Sequence, residues 1–275
     1  MNNADFDWKW GRMVKIGYSQ ISLLSFLIAI VLKAVSVFAV DCTAVSVGFF
    51  VAVLLGLVLM GIEAFRQKHF APAFVFENKF HLSFWAVLGS VGFFVDFVSD
   101  SLRLYGIVKD GDYNFVVGAV TVGFEGAFAI ISSICMIMVA LSFVKNARYD
   151  FRELKLLNVF PLLWAVLKGV ALLSQIEHNF SLTETAMYLT VISAIGAFYF
   201  FAKEVDNKKG AFASSVFSFE VYGCSATLYF ACQVLDAVSD ASSIDEGFVL
   251  SCTAFLTGAF VYFLEKSIRH YTKLD

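Results

Sequence analysis

Two copies of the motif Asp-x-Val-Ser-Asp, at residues 96–100 and 236–240, place carboxylates inside strongly apolar stretches of the chain. In a helix, the two aspartates of each copy lie four residues apart and therefore on nearly the same face. A charge in the bilayer core costs at least ~2.5–3.5 kcal/mol on insertion scales, so such residues turn inward, pair, or line water. Carboxylates in this setting are suited to binding a proton or a small cation.

Other charged residues lie in the same apolar stretches and define a candidate site. Lys33 and Asp96 are expected at similar depths of two spans that run in the same direction, so we predict that they pair. Lys168 and Asp236 are the corresponding pair later in the chain, with a less even match in depth. For both lysines a purely structural ion pair is the alternative. The predicted set comprises ion-binding Asp96, Asp100, Asp236 and Asp240, counter-charges Lys33 and Lys168, and rim residues Glu125 and Glu246.

The composition is typical of a polytopic membrane protein. Hydrophobic residues make up 59% of the 275 residues, charged residues only 16%, and there are 2 prolines. This profile excludes an ordinary soluble domain and makes the lipid bilayer the expected surrounding, with no nucleic acid as a partner. The five cysteines show no metal-ligand spacing, so neither a metal site nor a cofactor is expected.

Eight apolar stretches are long enough to cross a bilayer as helices, at about 20 residues per crossing. We therefore predict an all-α fold of eight transmembrane helices without a sizeable soluble domain. The predicted spans are 18–40, 44–64, 81–105, 115–144, 157–175, 183–202, 212–238 and 247–264.

Basic residues fall on alternate connections between these spans. Of the 20 lysines and arginines, 16 lie in the N-terminal arm, the second, fourth and sixth connections, and the C-terminal tail. The positive-inside rule therefore predicts a multi-pass protein of the cell membrane with both termini in the cytoplasm. A cleaved signal peptide is disfavoured, because Lys33 interrupts the first apolar run.

The first four spans resemble the last four, which suggests an internal duplication. Residues 31–35, Val-Leu-Lys-Ala-Val, align with 166–170, Val-Leu-Lys-Gly-Val, at an offset of 135 residues, and the two aspartate motifs align at 140. Glu125 aligns with Glu246 at an offset of 121, which suggests that both lie at outer helix ends. Matches of lysine, aspartate and glutamate inside apolar runs are far less common by chance than matches of valine and leucine.

The duplication divides the chain into four-helix halves, residues 1–150 and 151–275. Because each half has an even number of spans, the halves share one orientation and are expected to be related by a pseudo-two-fold axis along the membrane normal. Transporters built from parallel repeats bind their substrates between the halves. Glu220, on the inner half of the seventh span, is a candidate to continue a polar path towards the cytoplasm.

Acids outnumber bases at the candidate site, which favours a cation, a proton or an amine over an anion. The leading hypothesis is a secondary transporter or channel-like carrier with an outward-opening acidic vestibule between the halves. The acids are Asp96, Asp100, Glu125, Asp236, Asp240 and Glu246, and the bases are Lys33, Lys168 and Arg103.

Two other functions remain open from the sequence. The protein is alternatively a non-transporting sensor or assembly subunit, in a homo-oligomer or with another membrane subunit, whose charges form structural pairs. The third hypothesis is a membrane enzyme that acts on lipid headgroups at the outer face through a metal bound by rim acids. No complete motif of an intramembrane protease, a nucleotide-binding protein or a phosphatidyl-group transferase is present, so an enzyme is not favoured.

Overall fold

The computed structural model describes residues 3–39, 43–66, 70–76, 79–110, 115–144, 159–173, 181–204, 212–239 and 246–273. Each of the eight predicted spans lies on one helix of this structure. The helices are α1 (Asn3–Phe38), α2 (Thr43–Arg66), α3 (Lys79–Asp110), α4 (Phe115–Val144), α5 (Val159–Leu173), α6 (Leu182–Glu204), α7 (Phe212–Ser239) and α8 (Glu246–Ser267).

Among the described helices, 7 are long and apolar enough to cross a membrane, so the prediction of a polytopic membrane protein is confirmed. Large apolar side chains such as Leu54 and Ile192 point outward from the bundle, as expected for a surface that faces lipid. Helix α5 is shorter, with 15 residues. At 1.5 Å per residue it is roughly 22 Å long, against a hydrocarbon core of about 30 Å.

A short antiparallel sheet, which was not predicted, pairs β1 (Phe70–Phe76) with β2 (Ile268–Lys273). Strand β1 connects α2 to α3 and β2 follows α8, so these two segments lie at the same end of the bundle. A chain that returns to the same end makes an even number of crossings, and one crossing by each of the six intervening helices, short α5 included, satisfies this condition. We call this end the sheet end and the opposite end the far end.

Helices α3 to α8 form a closed ring, because each packs against the next and α8 packs against α3. The hairpin of α1 and α2 packs on the outside of this ring, against α7. The helices of the two halves are thus in contact at several places. The internal repeat, its symmetry axis and the side on which the termini lie stay predictions.

Close contact between α3 and α8 depends on Gly92. The Thr253 hydroxyl donates a hydrogen bond of 2.9 Å to the Gly92 carbonyl, and a Cβ at Gly92 would lie only 3.1 Å from the Thr253 Cα. Small residues at such crossings let helix backbones approach each other in membranes. The contact fixes the position of α3 immediately before Asp96, the first acid of the candidate site.

Gly223→Ala is expected to destabilise the contact between α7 and α8. A Cβ at Gly223 would lie 2.7 Å from Tyr262 Cβ and 3.2 Å from the Gly258 carbonyl oxygen. Overpacking of this kind costs about 1–3 kcal/mol, so the thermal unfolding temperature of the purified protein should fall. Gly106→Ala is the matched control, because nothing lies within 4 Å of its added Cβ. An equal fall for both variants would contradict this account of the contact.

Candidate functional site

A buried group of charges lies where α3, α4 and α5 meet in the far half of the bundle. Lys168 Nζ is 2.9 Å from Asp100 Oδ1, 3.2 Å from Glu125 Oε2 and 3.4 Å from Asp96 Oδ2. All four residues are buried, each at most 9% exposed. We call Asp96, Asp100, Glu125 and Lys168 the Lys168 cluster.

Helix geometry explains how these side chains converge. Asp96 and Asp100 are one turn apart on α3 and project from one face. Trp164 precedes Lys168 by one turn on α5, and its indole N–H donates a hydrogen bond of 2.7 Å to Asp96 Oδ2. The Trp164 ring also packs edge-to-face with Phe93, with ring centroids 5.0 Å apart, so both a hydrogen bond and a ring contact fix the indole.

The charge balance of the Lys168 cluster decides its chemistry. One ammonium group faces three carboxylates, so two negative charges are left over when all three carboxylates are ionised. Burying net charge away from water is costly unless the charge is compensated. Protons or a small cation can supply that compensation, so the cluster has the composition of a reversible proton-binding or cation-binding site.

The predicted lysine partners were wrong, because the two lysines pair the other way round. Lys168 contacts Asp96 and Asp100, whereas Lys33 Nζ lies 2.7 Å from Asp236 Oδ1. The prediction matched lysines with aspartates by their depth in the membrane, and depth alone does not say which helices are neighbours. In the structure α1 packs against α7 and α5 packs against α4, so each lysine faces an acid of the opposite half.

The pair of Lys33 and Asp236 is less enclosed than the Lys168 cluster. Lys33 is buried, but the Asp236 side chain is 38% exposed. The hydroxyl of Thr183, in the first turn of α6, donates a hydrogen bond of 2.6 Å to Asp236 Oδ2. Ser181 and Glu184 form a capping box at this helix start, with reciprocal bonds between side chains and backbone N–H groups. Asp236 thus has one cation and one neutral donor.

The two predicted rim residues, Glu125 and Glu246, differ in their exposure to solvent. Glu246 lies at the far end of α8, with its side chain 60% exposed and 3.0 Å from Arg103 Nη1. Glu125 was predicted at a rim, but it is 1% exposed and bonded to Lys168. The prediction was wrong because α4 begins at Phe115, so Glu125 lies almost three turns inside the helix. Asp240 lies outside the described residues.

A small cavity adjoins the Lys168 cluster on the side of α6, α7 and α8. Its volume is about 10 Å³, close to the least space in which a water molecule fits. Lys168 of α5, Thr190 of α6 and Tyr222 of α7 are among the residues that line it. The cluster is therefore buried in this conformation, and the small cavity is the space beside it.

Among the residues that the structure describes, no group of three or more histidine, cysteine, aspartate or glutamate side chains is arranged to hold a metal ion. Glu125, which the enzyme hypothesis needs as a rim ligand, is instead bonded to Lys168 in the interior.

Sequence reasoning missed Trp164 and Thr183, the two neutral donors to the aspartates. A signal for Trp164 was present, since it lies one turn from Lys168 and a buried indole N–H usually finds an acceptor. Thr183 carried no such signal, because hydroxyl groups are common at helix starts. Comparison with protein-family models, curated proteins and solved structures found no match.

Proposed function

We propose that the protein is a secondary transporter or channel-like carrier of a small cationic or protonatable solute, with the Lys168 cluster as its binding site. The observation that carries this proposal is that three buried carboxylates share one lysine. A structural ion pair needs only one carboxylate for each lysine. The excess of buried acid is what a site that takes up protons or cations requires.

The pairing across the chain supports a carrier built from two halves. In the alignment of the halves, Lys33 corresponds to Lys168 and Asp236 corresponds to Asp96. The contacts of Lys168 with Asp96 and of Lys33 with Asp236 are therefore equivalent and reciprocal. Arg103 and Glu246 form a further ion pair between the halves at the far end. Rocking one half against the other would break these ion pairs and open the Lys168 cluster.

We also propose that the sheet end faces the cytoplasm of a cell membrane. The connections and the tail at that end carry most of the basic residues of the chain, and such residues remain predominantly on the cytoplasmic side. The far end, nearer to the Lys168 cluster, then faces outward.

Uptake of radiolabelled methylammonium into proteoliposomes tests this function with a minimal protonatable cation. The wild-type protein should take up methylammonium faster than empty vesicles, and Asp100→Asn should lower the initial rate at least ~10-fold, because ΔΔG of 1.4 kcal/mol or more is expected for a lost charged partner. Glu184→Gln is the control, since glutamine preserves a capping box. Equal rates for wild type and empty vesicles would reject methylammonium-type amines and favour the rival function.

The rival function is a membrane sensor or assembly subunit in which the charges only hold helices together. The pair of Lys33 and Asp236 favours it, because this pair is balanced in charge and is further satisfied by Thr183. The rival predicts that the acids of the Lys168 cluster affect stability alone. The carrier predicts that Asp100→Asn lowers uptake in a protein that still folds.

A further inference from the structure

A second buried group of charges lies at the sheet end, where α2, α7 and α8 meet. Lys266 Nζ is bonded to Glu220 Oε1 and lies 3.0 Å from Glu265 Oε2. Glu63 of α2 is close enough to Glu265 for the two charges to interact. The three glutamates are at most 4% exposed. We call Glu63, Glu220, Glu265 and Lys266 the Lys266 cluster.

The Lys266 cluster repeats the composition of the Lys168 cluster. Each has one lysine and three carboxylates, contributed by three helices. Full ionisation again leaves two negative charges to be compensated in a buried place. The titratable groups around it are Glu63 on α2, Glu220 and Cys224 on α7, and Tyr262, Glu265 and Lys266 on α8.

One carboxylate oxygen of this cluster is compensated only by the ion pair with Lys266. Glu265 Oε2 is fully buried and accepts no hydrogen bond from the described residues, although Lys266 Nζ is 3.0 Å away. The ammonium group is directed instead at Glu220, its hydrogen-bond acceptor. Protonation of this oxygen would turn it into a hydrogen-bond donor and would remove one of the two uncompensated negative charges of the cluster.

The two clusters lie near opposite ends of the membrane-spanning part. Gly89 packs opposite Thr257 and Gly92 opposite Thr253, which sets the register between α3 and α8. Continued along the helices, this register places Asp96 opposite Leu250. Glu265 is then about 15 residues away along α8, or roughly 22 Å at 1.5 Å per residue. This separation is most of the ~30 Å thickness of a hydrocarbon core.

Polar groups and the small cavity lie between the clusters. Tyr222 borders the cavity that Lys168 also borders, and its hydroxyl is 2.6 Å from the hydroxyl of Thr257. Glu220 precedes Tyr222 by two residues on α7, so the two side chains lie at similar depth but on different faces of the helix. A hydroxyl that both donates and accepts, such as that of Tyr222, can relay a proton.

We propose that the Lys266 cluster is a second proton-binding site, which exchanges protons with the sheet-end solution while the Lys168 cluster exchanges them with the far side. Each uptake transfers a proton from hydronium to a glutamate oxygen, forming an O–H bond and releasing water, and each release reverses this step. The inference rests on the proposed function, because two proton sites in series give a carrier its coupling to a proton gradient.

Infrared difference spectra of the purified full-length protein, recorded between acidic and alkaline buffer, test this second site without any transport assay. The carboxyl C=O band of protonated acids should include a component that disappears in Glu265→Gln or Glu220→Gln and remains in Asp100→Asn and in the control Glu184→Gln. Isotope-labelled glutamate assigns this component to glutamate. With the label, the component that Glu265→Gln or Glu220→Gln removes must shift in frequency.

Spectra of Glu265→Gln and Glu220→Gln identical to wild type, or a missing component whose frequency does not shift with labelled glutamate, would overturn the second site. Those results would leave methylammonium uptake through the Lys168 cluster unaffected. Conversely, absent uptake combined with the expected infrared change would reject the proposed carrier function and keep the proton-binding site. The two failures are therefore distinguishable.

Discussion

Replacing Lys168 with methionine is expected to lower the free energy of unfolding by about 3–5 kcal/mol, because it leaves buried acids without their cation. Lys168 is within 3.4 Å of each of three carboxylates, all of them buried. Methionine keeps a similar length and apolar stem, so the change isolates the charge. Reversible unfolding of the purified protein in mixed micelles provides the measurement.

Three comparisons make the Lys168→Met experiment specific. Lys33→Met should cost less, about 1–2 kcal/mol, because Asp236 is partly exposed and keeps its bond from Thr183. Lys109→Met should have almost no effect, since Lys109 is exposed at the end of α3. Adding Asp100→Asn to Lys168→Met should restore part of the loss by removing one uncompensated charge. Equal costs at Lys33 and Lys168 would contradict the arrangement of charges described here.

Cross-linking residues 103 and 246 is expected to abolish uptake of methylammonium completely and reversibly. Arg103 of α3 and Glu246 of α8 are in contact at the far end and belong to different halves of the chain. If the halves rock apart there to open the Lys168 cluster, a short thiol-specific bridge between cysteines at these positions prevents opening. A reductant that cleaves the bridge should restore uptake.

The control for the cross-link is the Arg103→Cys protein treated with the same reagent, in a background without the native cysteines. That protein should retain its uptake after treatment, since a single cysteine forms no bridge within the chain. Normal uptake by the fully cross-linked double variant would show that the two halves need not separate at the far end. The carrier would then need a different route to the Lys168 cluster.

Most of the helical architecture was predictable from the sequence. Each apolar stretch became a helix, because in lipid the backbone must satisfy its own hydrogen bonds. The sheet was not predictable, because six helices lie between β1 and β2 along the chain and neither strand carries a hairpin signal. Helix α5 was expected as an ordinary span, but in the structure it has only 15 residues.

That these charged residues are buried in the bundle was predictable, but their partners were not. Lysine and aspartate stand out in apolar runs, so Lys168, Asp96 and Asp100 were found from their surroundings alone. Which lysine meets which aspartate depends on helix packing, and α1 lies against α7 rather than within a separate first half. Glu125 was misplaced for a related reason, because an alignment of halves carries no information on where a helix begins.

Proton release on binding of methylammonium tests the central claim most directly, because a cation that enters the Lys168 cluster must displace the protons that compensate its acids. The purified protein is placed in weakly buffered detergent solution with a pH indicator, and methylammonium chloride is added, with choline chloride as the control salt. The account predicts acidification with the wild-type protein and a much smaller change with Asp100→Asn. Binding of methylammonium without proton release, or identical release from wild type and Asp100→Asn, would contradict it.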